Sequence, residues 1–130
     1  MEKEYISMKH SDFVNDYFKT LKHCRNTREA IDRTCTLPAP RFYCSVEEAH
    51  RNCSILFRGG RLKKSAMFAA MYSDMTDIAA GLMDEKGISL RRAIEYMLNT
   101  PVQAPSYYMS PYYARAVVGR FLKSKAWKNS

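Results

Sequence analysis

The residues able to hold a metal, attack an electrophile or move a proton are few and scattered in this chain. Its four cysteines stand at positions 24, 35, 44 and 53, and its three histidines at 10, 23 and 50. The cysteines form no Cys-x-x-Cys pair, so no zinc site with His23 or His50 is expected, and a reducing compartment disfavours disulfides. Glu47-Glu48 offers a candidate carboxylate pair for acid–base work. Acids at the start of a helix also complement its dipole, which explains the pair without catalysis. No phosphate-binding glycine loop, dinucleotide fingerprint, metalloprotease helix or nucleophile elbow occurs. The expectation is a non-enzymatic chain with no catalytic residue, no metal and no cofactor.

What remains is charge and aromatic rings. The net charge is +8, and it is unevenly placed. Residues 1–57 carry nine Lys/Arg against eight acids. Arg58, Arg61, Lys63 and Lys64 then add four positive charges within seven residues. Residues 91–130 hold seven Lys/Arg against Glu95 alone. There Arg115, Arg120, Lys123 and Lys125 follow a cluster of rings at Tyr107, Tyr108, Tyr112 and Tyr113. Basic side chains interleaved with aromatics suit phosphate contact combined with stacking or base-edge contact. The candidate nucleic-acid set is therefore Arg58, Arg61, Lys63, Lys64, Tyr112, Tyr113, Arg115, Arg120, Lys123 and Lys125. The same composition suits a protein interface, where Tyr and Arg are enriched, and a solubilising surface accounts for charge alone.

These residues need elements to position them, and an internal repeat supplies the plan. Ala39-Pro40-Arg41-Phe42-Tyr43-Cys44-Ser45-Val46-Glu47-Glu48-Ala49 returns as Ala104-Pro105-Ser106-Tyr107-Tyr108-Met109-Ser110-Pro111-Tyr112-Tyr113-Ala114, with five of eleven positions identical. Upstream, Ala30-Ile31 answers Ala93-Ile94, and Ser11-Asp12-Phe13 answers Ser73-Asp74-Met75. A recurrence near 65 residues predicts two copies of one small helical unit. In this alignment Cys35, Cys44 and Cys53 face Leu98, Met109 and Val118, as buried unbonded thiols would. Each copy reads as helix, helix, bent connector, helix. In the first, a helix over Asp12–His23 presents Phe13, Tyr17 and Leu21 at spacing four. A short helix begins after Asn26 and stops near Leu37, because Pro38 and Pro40 disfavour continuation. Ser45 caps a third helix, with Glu48 reaching back, and Gly59-Gly60 ends it.

The second copy repeats the plan. A helix over Leu62–Met83 carries Met67, Met71, Met75, Ile78 and Leu82 as a core stripe. Gly87 closes it, Ser89 caps the next helix, and Pro101 and Pro105 break the chain. Ser110-Pro111 starts a last helix reaching about Trp127. On that helix Ala114, Val117, Val118, Phe121 and Leu122 share an apolar face opposite Arg115, Arg120 and Lys123. No strand alternation is present. The repeated Tyr43 and Tyr108 are expected to bond their hydroxyls to backbone at the bends.

The pattern Pro-Ala-Pro-x-Phe/Tyr-Tyr-x-Ser, complete at Pro38–Ser45 and with Gln103 in place of its first proline at Gln103–Ser110, is similar to one in small bacterial helical proteins, a likeness that brings no activity with it. Arg58-Gly59-Gly60-Arg61 resembles the RGG unit of RNA-binding tails, and a helix stop with basic neighbours explains it equally. Three helices with a capped last one resemble, in outline, the tri-helical helix-turn-helix DNA-binding domains. That resemblance implies base-proximal roles for Tyr112, Tyr113 and Arg115, and for Glu47, Glu48 and Arg51 in the first copy. The connector from Leu37 to Ser45 departs from the short turn of that motif.

The expected fold is all-α: a tandem repeat of two three-helix units, 11–58 and 62–127, within one compact domain over 1–130. The expected function is a small bacterial, cytoplasmic nucleic-acid-binding protein acting through its basic C-terminal helix. The alternative is a protein-interaction module. Open partner classes are DNA or RNA, another protein through the Tyr-rich connector 106–113, and a second copy of the chain. No segment has a signal-peptide pattern or the roughly 20 apolar residues of a membrane helix.

Overall fold

Serine, asparagine and glycine at the helix ends set the boundaries of this fold. The computed structural model describes residues 3–100 and 102–128, with side chains described to residue 124. It is all-α, with six helices: α1 (Lys3–Leu21), α2 (Thr27–Cys35), α3 (Val46–Phe57), α4 (Ala66–Lys86), α5 (Leu90–Asn99) and α6 (Pro111–Lys128). Asn26 Oδ1 accepts from Glu29 N at 2.9 Å, while Glu29 accepts from Arg25 N at 3.0 Å, a reciprocal cap at the start of α2. Ser45, Ser65 and Ser89 accept from the backbone N–H three residues on and open α3, α4 and α5. Gly87 closes α4 in the left-handed region at φ 63°.

Two helix starts differ from expectation. α1 begins at Lys3 rather than Asp12, because the spacing-four stripe runs back through Lys9 to Tyr5. A lysine on that line hides it from an apolar pattern. α4 begins at Ala66 rather than Leu62, because Ser65 is extended (ψ 156°) and caps the helix four residues later than periodicity placed it. The break assigned to Pro101 lies outside the described residues.

The packing exchanges partners. α6 packs on α1 and α2, and α3 packs on α4 and α5. The consecutive pairs α2 and α3, or α5 and α6, do not pack on one another among the described residues. The three-helix groups in space are therefore α1–α2–α6 and α3–α4–α5, not the sequence-consecutive ones expected. The connectors 37–45 and 102–110 carry the chain across. They meet where Ala39 and Ala104 exchange two backbone hydrogen bonds of 2.9 Å, an antiparallel bridge. This also corrects the helix-turn-helix outline, since that motif needs its last two helices in direct contact across a short turn.

One continuous core joins both groups, with the connector rings at its centre. Phe42 stacks on Tyr108 at 6.4 Å, and Tyr43 on Tyr107 at 6.3 Å. The Tyr43 and Tyr108 hydroxyls are bonded to carboxylates, not to backbone as expected. Tyr43 donates to Asp12 at 2.6 Å, Tyr108 to Asp74 at 2.6 Å, and Tyr107 to the carboxylate of Asp16 and the carbonyl of Asp12. A phenol–carboxylate bond is charge-assisted and stronger than a neutral one, so these bonds pin both connectors to α1 and α4. Cys44 and Cys53 are buried thiols, and Cys24 and Cys35 are half-buried; all four are free. Of the methionine stripe, Met71 and Met75 are fully buried, whereas Met67 is 42% exposed and lies at a cavity rim.

Candidate nucleic-acid interface and the cavity beside it

α6 presents the basic residues because its other face is committed to α1 and α2. Ala114, Val117 and Val118 are buried, and Arg115, Arg120 and Lys123 face solvent. The apolar face is less covered than expected: Phe121 and Leu122 are 40% and 43% exposed, although the Phe121 ring still meets Phe18 of α1 edge-on at 6.2 Å. The Lys125 side chain lies outside the described residues. At the helix start Ser110 Oγ accepts from Tyr113 N at 3.2 Å, and no acid occupies the first turn. The dipole there is left uncompensated and favours anions. Tyr112 is 85% exposed. Tyr113 is tethered, its hydroxyl sharing a 2.9 Å hydrogen bond with His10 Nε2 on α1.

The second basic segment precedes α4, whose first turn borders a cavity that α6 also borders. Arg58, Arg61, Lys63 and Lys64 are all exposed in the α3–α4 connection. Lys64 lies three residues before Met67, a reach of at most about 11 Å. Met67 and Phe68 share a cavity wall with Tyr113. The basic connector thus leads into a helix whose first turn borders the same cavity as the first turn of α6. Arg58 is not part of this grouping. Its Nε donates to Ser54 O at 3.1 Å, and it borders a separate groove with His50 and Leu90. The α3 acids are engaged within the fold: Glu47 pairs with Arg91 at 3.4 Å, and Glu48 accepts from Tyr72 at 3.4 Å.

The connector 106–113 is mostly interior. Tyr107 and Met109 are buried and Tyr108 is half-buried. Only its last residues, Pro111, Tyr112 and Tyr113, are exposed to a partner.

Sequence reasoning missed what lies beneath Tyr113. A cavity of about 330 Å³ is walled by Ile6, Phe68 and Met109, with Lys9, His10 and Tyr113 supplying its polar groups. Lys9 is only 7% exposed, and its Nζ sits 5.8 Å from the centroid of the Phe68 ring. Burial pulls its ammonium down to about 8. His10 is held below its usual range by burial first, then by the positive charges of Arg120 and Lys9. Tyr108, on the same wall, adopts φ 56°, an uncommon conformation for a bulky residue; its N–H donates to Ser106 Oγ at 2.9 Å. The sequence signal for this site was a lysine at a core-facing position of α1, between Tyr5 and Phe13.

Among the described residues no group of three or more His, Cys, Asp or Glu is placed to hold a metal ion. No helix of the described residues is long and apolar enough to cross a membrane. No family model, curated protein or solved structure matches this chain.

Proposed function

We propose that this is a non-enzymatic nucleic-acid-binding protein of the bacterial cytoplasm that grips the phosphate backbone with two basic segments and stacks tyrosines beside it. The observation that supports this most is the shared wall of Met67, Phe68 and Tyr113. It sets the start of α4, which the exposed Arg61–Lys64 segment leads into, across one cavity from the first turn of α6, where Tyr112 is exposed. Phosphate contacts give affinity without sequence information, and an exposed ring adds base stacking. The mode is a charged face, since among the described residues α6 does not pack on α5 as the last helix of a helix-turn-helix would.

The matching connectors support reading the chain as a duplication with exchanged third helices. Equivalent alanines pair with each other, and the bonds Tyr43–Asp12 and Tyr108–Asp74 are both 2.6 Å long.

Titration of a generic DNA duplex across salt concentrations tests the function. Affinity should fall linearly on logarithmic axes as counterions are released, with measurable binding at about 50 mM salt. Arg120→Glu with Lys123→Glu should abolish binding and leave the helical circular dichroism intact. No binding at low salt, or binding indifferent to salt, refutes the reading. The exposed Phe121 and Leu122 support a second reading, a protein-interaction surface on the far half of α6. Self-association lost in Phe121→Ser with Leu122→Ser would favour it.

A further inference from the structure

The cavity beneath Tyr113 has a feature that nucleic-acid binding does not use. Lys9 is more than nine-tenths buried and lines the cavity, yet among the described residues no carboxylate pairs with it. Buried lysines are ordinarily paired, because an uncompensated charge in an apolar setting is costly. The acid nearest this wall in the bonding pattern, Asp74, is committed to Tyr108 at 2.6 Å. Burial is the cause that lowers the Lys9 ammonium, and its chain neighbour His10 is held toward the neutral form by burial and by the positive charges of Arg120 and Lys9. No buried side-chain nitrogen or oxygen is left unsatisfied among the described residues. The Lys9 ammonium therefore keeps contact with the open space of the cavity.

We infer that this cavity binds a small organic anion with an apolar body, its anionic head on Lys9 and its body against Ile6, Phe68 and Met109. The size stands at the low end of ligand pockets, which suits a molecule of about ten non-hydrogen atoms. The apolar wall selects against bare phosphate or sulfate, and the missing counter-charge selects for an anion over a neutral solute. The inference stands apart from the nucleic-acid reading, since it uses the buried lysine and not the exposed cations.

An anion favours the charged form of Lys9, whose ammonium burial has drawn down to about 8. Ligand affinity should hold below pH 8 and fall as pH rises past it, by up to about tenfold per unit. His10, lowered from its ordinary value, is neutral throughout this window. Tyr108 is raised by burial and by its bond to Asp74, and Arg120 stays charged. Lys9 alone of these changes charge.

The experiment is calorimetric titration of the full chain with sodium octanoate, and with 1-octanol as the uncharged counterpart. Octanoate should bind at one equivalent, and Lys9→Met, which keeps the stem and removes the charge, should weaken it about tenfold or more. Octanol should bind Lys9→Met as well as the parent or better. Lys22→Met, at an exposed position, serves as the charge control and should leave octanoate affinity unchanged. If Lys9→Met fails to fold, the pH dependence of octanoate binding to the parent chain decides alone. No saturable octanoate binding, several equivalents with equal loss in Lys22→Met, or affinity flat between pH 7 and 10 would each overturn the inference.

Discussion

Raising the pH should unfold this protein through its interior phenols. Tyr43, Tyr72, Tyr107 and Tyr108 are all held above the ordinary tyrosine range, by burial first. Bonded carboxylates add to it: Asp12 for Tyr43, Asp16 for Tyr107 and Asp74 for Tyr108. For Tyr72 the neighbouring Cys44 and Glu48 act in the same direction. The native state keeps these four protons where the unfolded chain, titrating near pH 10, gives them up. Stability is then fully present below that unfolded value and declines as pH rises toward the native values. At pH 11 each tyrosine costs about 1.4 kcal/mol, and the four together about 6 kcal/mol. A domain of this size has about 5–15 kcal/mol in total, so cooperative unfolding is expected between about pH 10.5 and 12. Phenolate absorbance and far-ultraviolet circular dichroism, followed along one titration, provide the assay. Phenolate equivalent to more than five of the nine tyrosines forming while the helices persist would refute the reasoning. Tyr108→Phe gives a second check. It loses the Asp74 bond and should cost about 1.5–3 kcal/mol at neutral pH, a deficit that shrinks by about 1.4 kcal/mol at pH 11.

Two further outcomes follow from the same packing. A Cβ on Gly60 would meet Ile55 Cγ2 at 2.8 Å and the Ile55 carbonyl oxygen at 3.0 Å. Gly60→Ala should therefore lower the unfolding free energy read from denaturant titration by about 1–3 kcal/mol, whereas Gly81→Ala, in open space on α4, should raise it by about 0.5–1 kcal/mol. Alkylation at pH 8 followed by mass spectrometry should label half-buried Cys24 well ahead of Cys44, whose thiol burial pushes up to about 12, and of fully buried Cys53. Comparable labelling of all four thiols in the folded protein would contradict the described core.

Local chemistry was legible from residues alone because caps and periodicity act over a few positions. Asn26, Ser45, Ser65, Ser89 and Ser110 each engage a backbone N–H three residues on. Four of these were readable in advance as helix starts, and the all-α class followed from them. Exposure of Arg61, Lys63, Lys64, Tyr112 and Arg115 was likewise predictable from charge and helix face. Tertiary structure decided which helices touch. The connectors are extended, and nothing within Leu37–Ser45 says whether α3 folds back on α2 or crosses to α4; apolar faces of similar shape compete, and only the summed burial chooses. The same choice set the fate of Lys9. Its position on the α1 stripe is written in the sequence, but its burial beside Phe68 and Met109, with no ion pair to a described carboxylate, exists only because α4 and the α6 connector close over it.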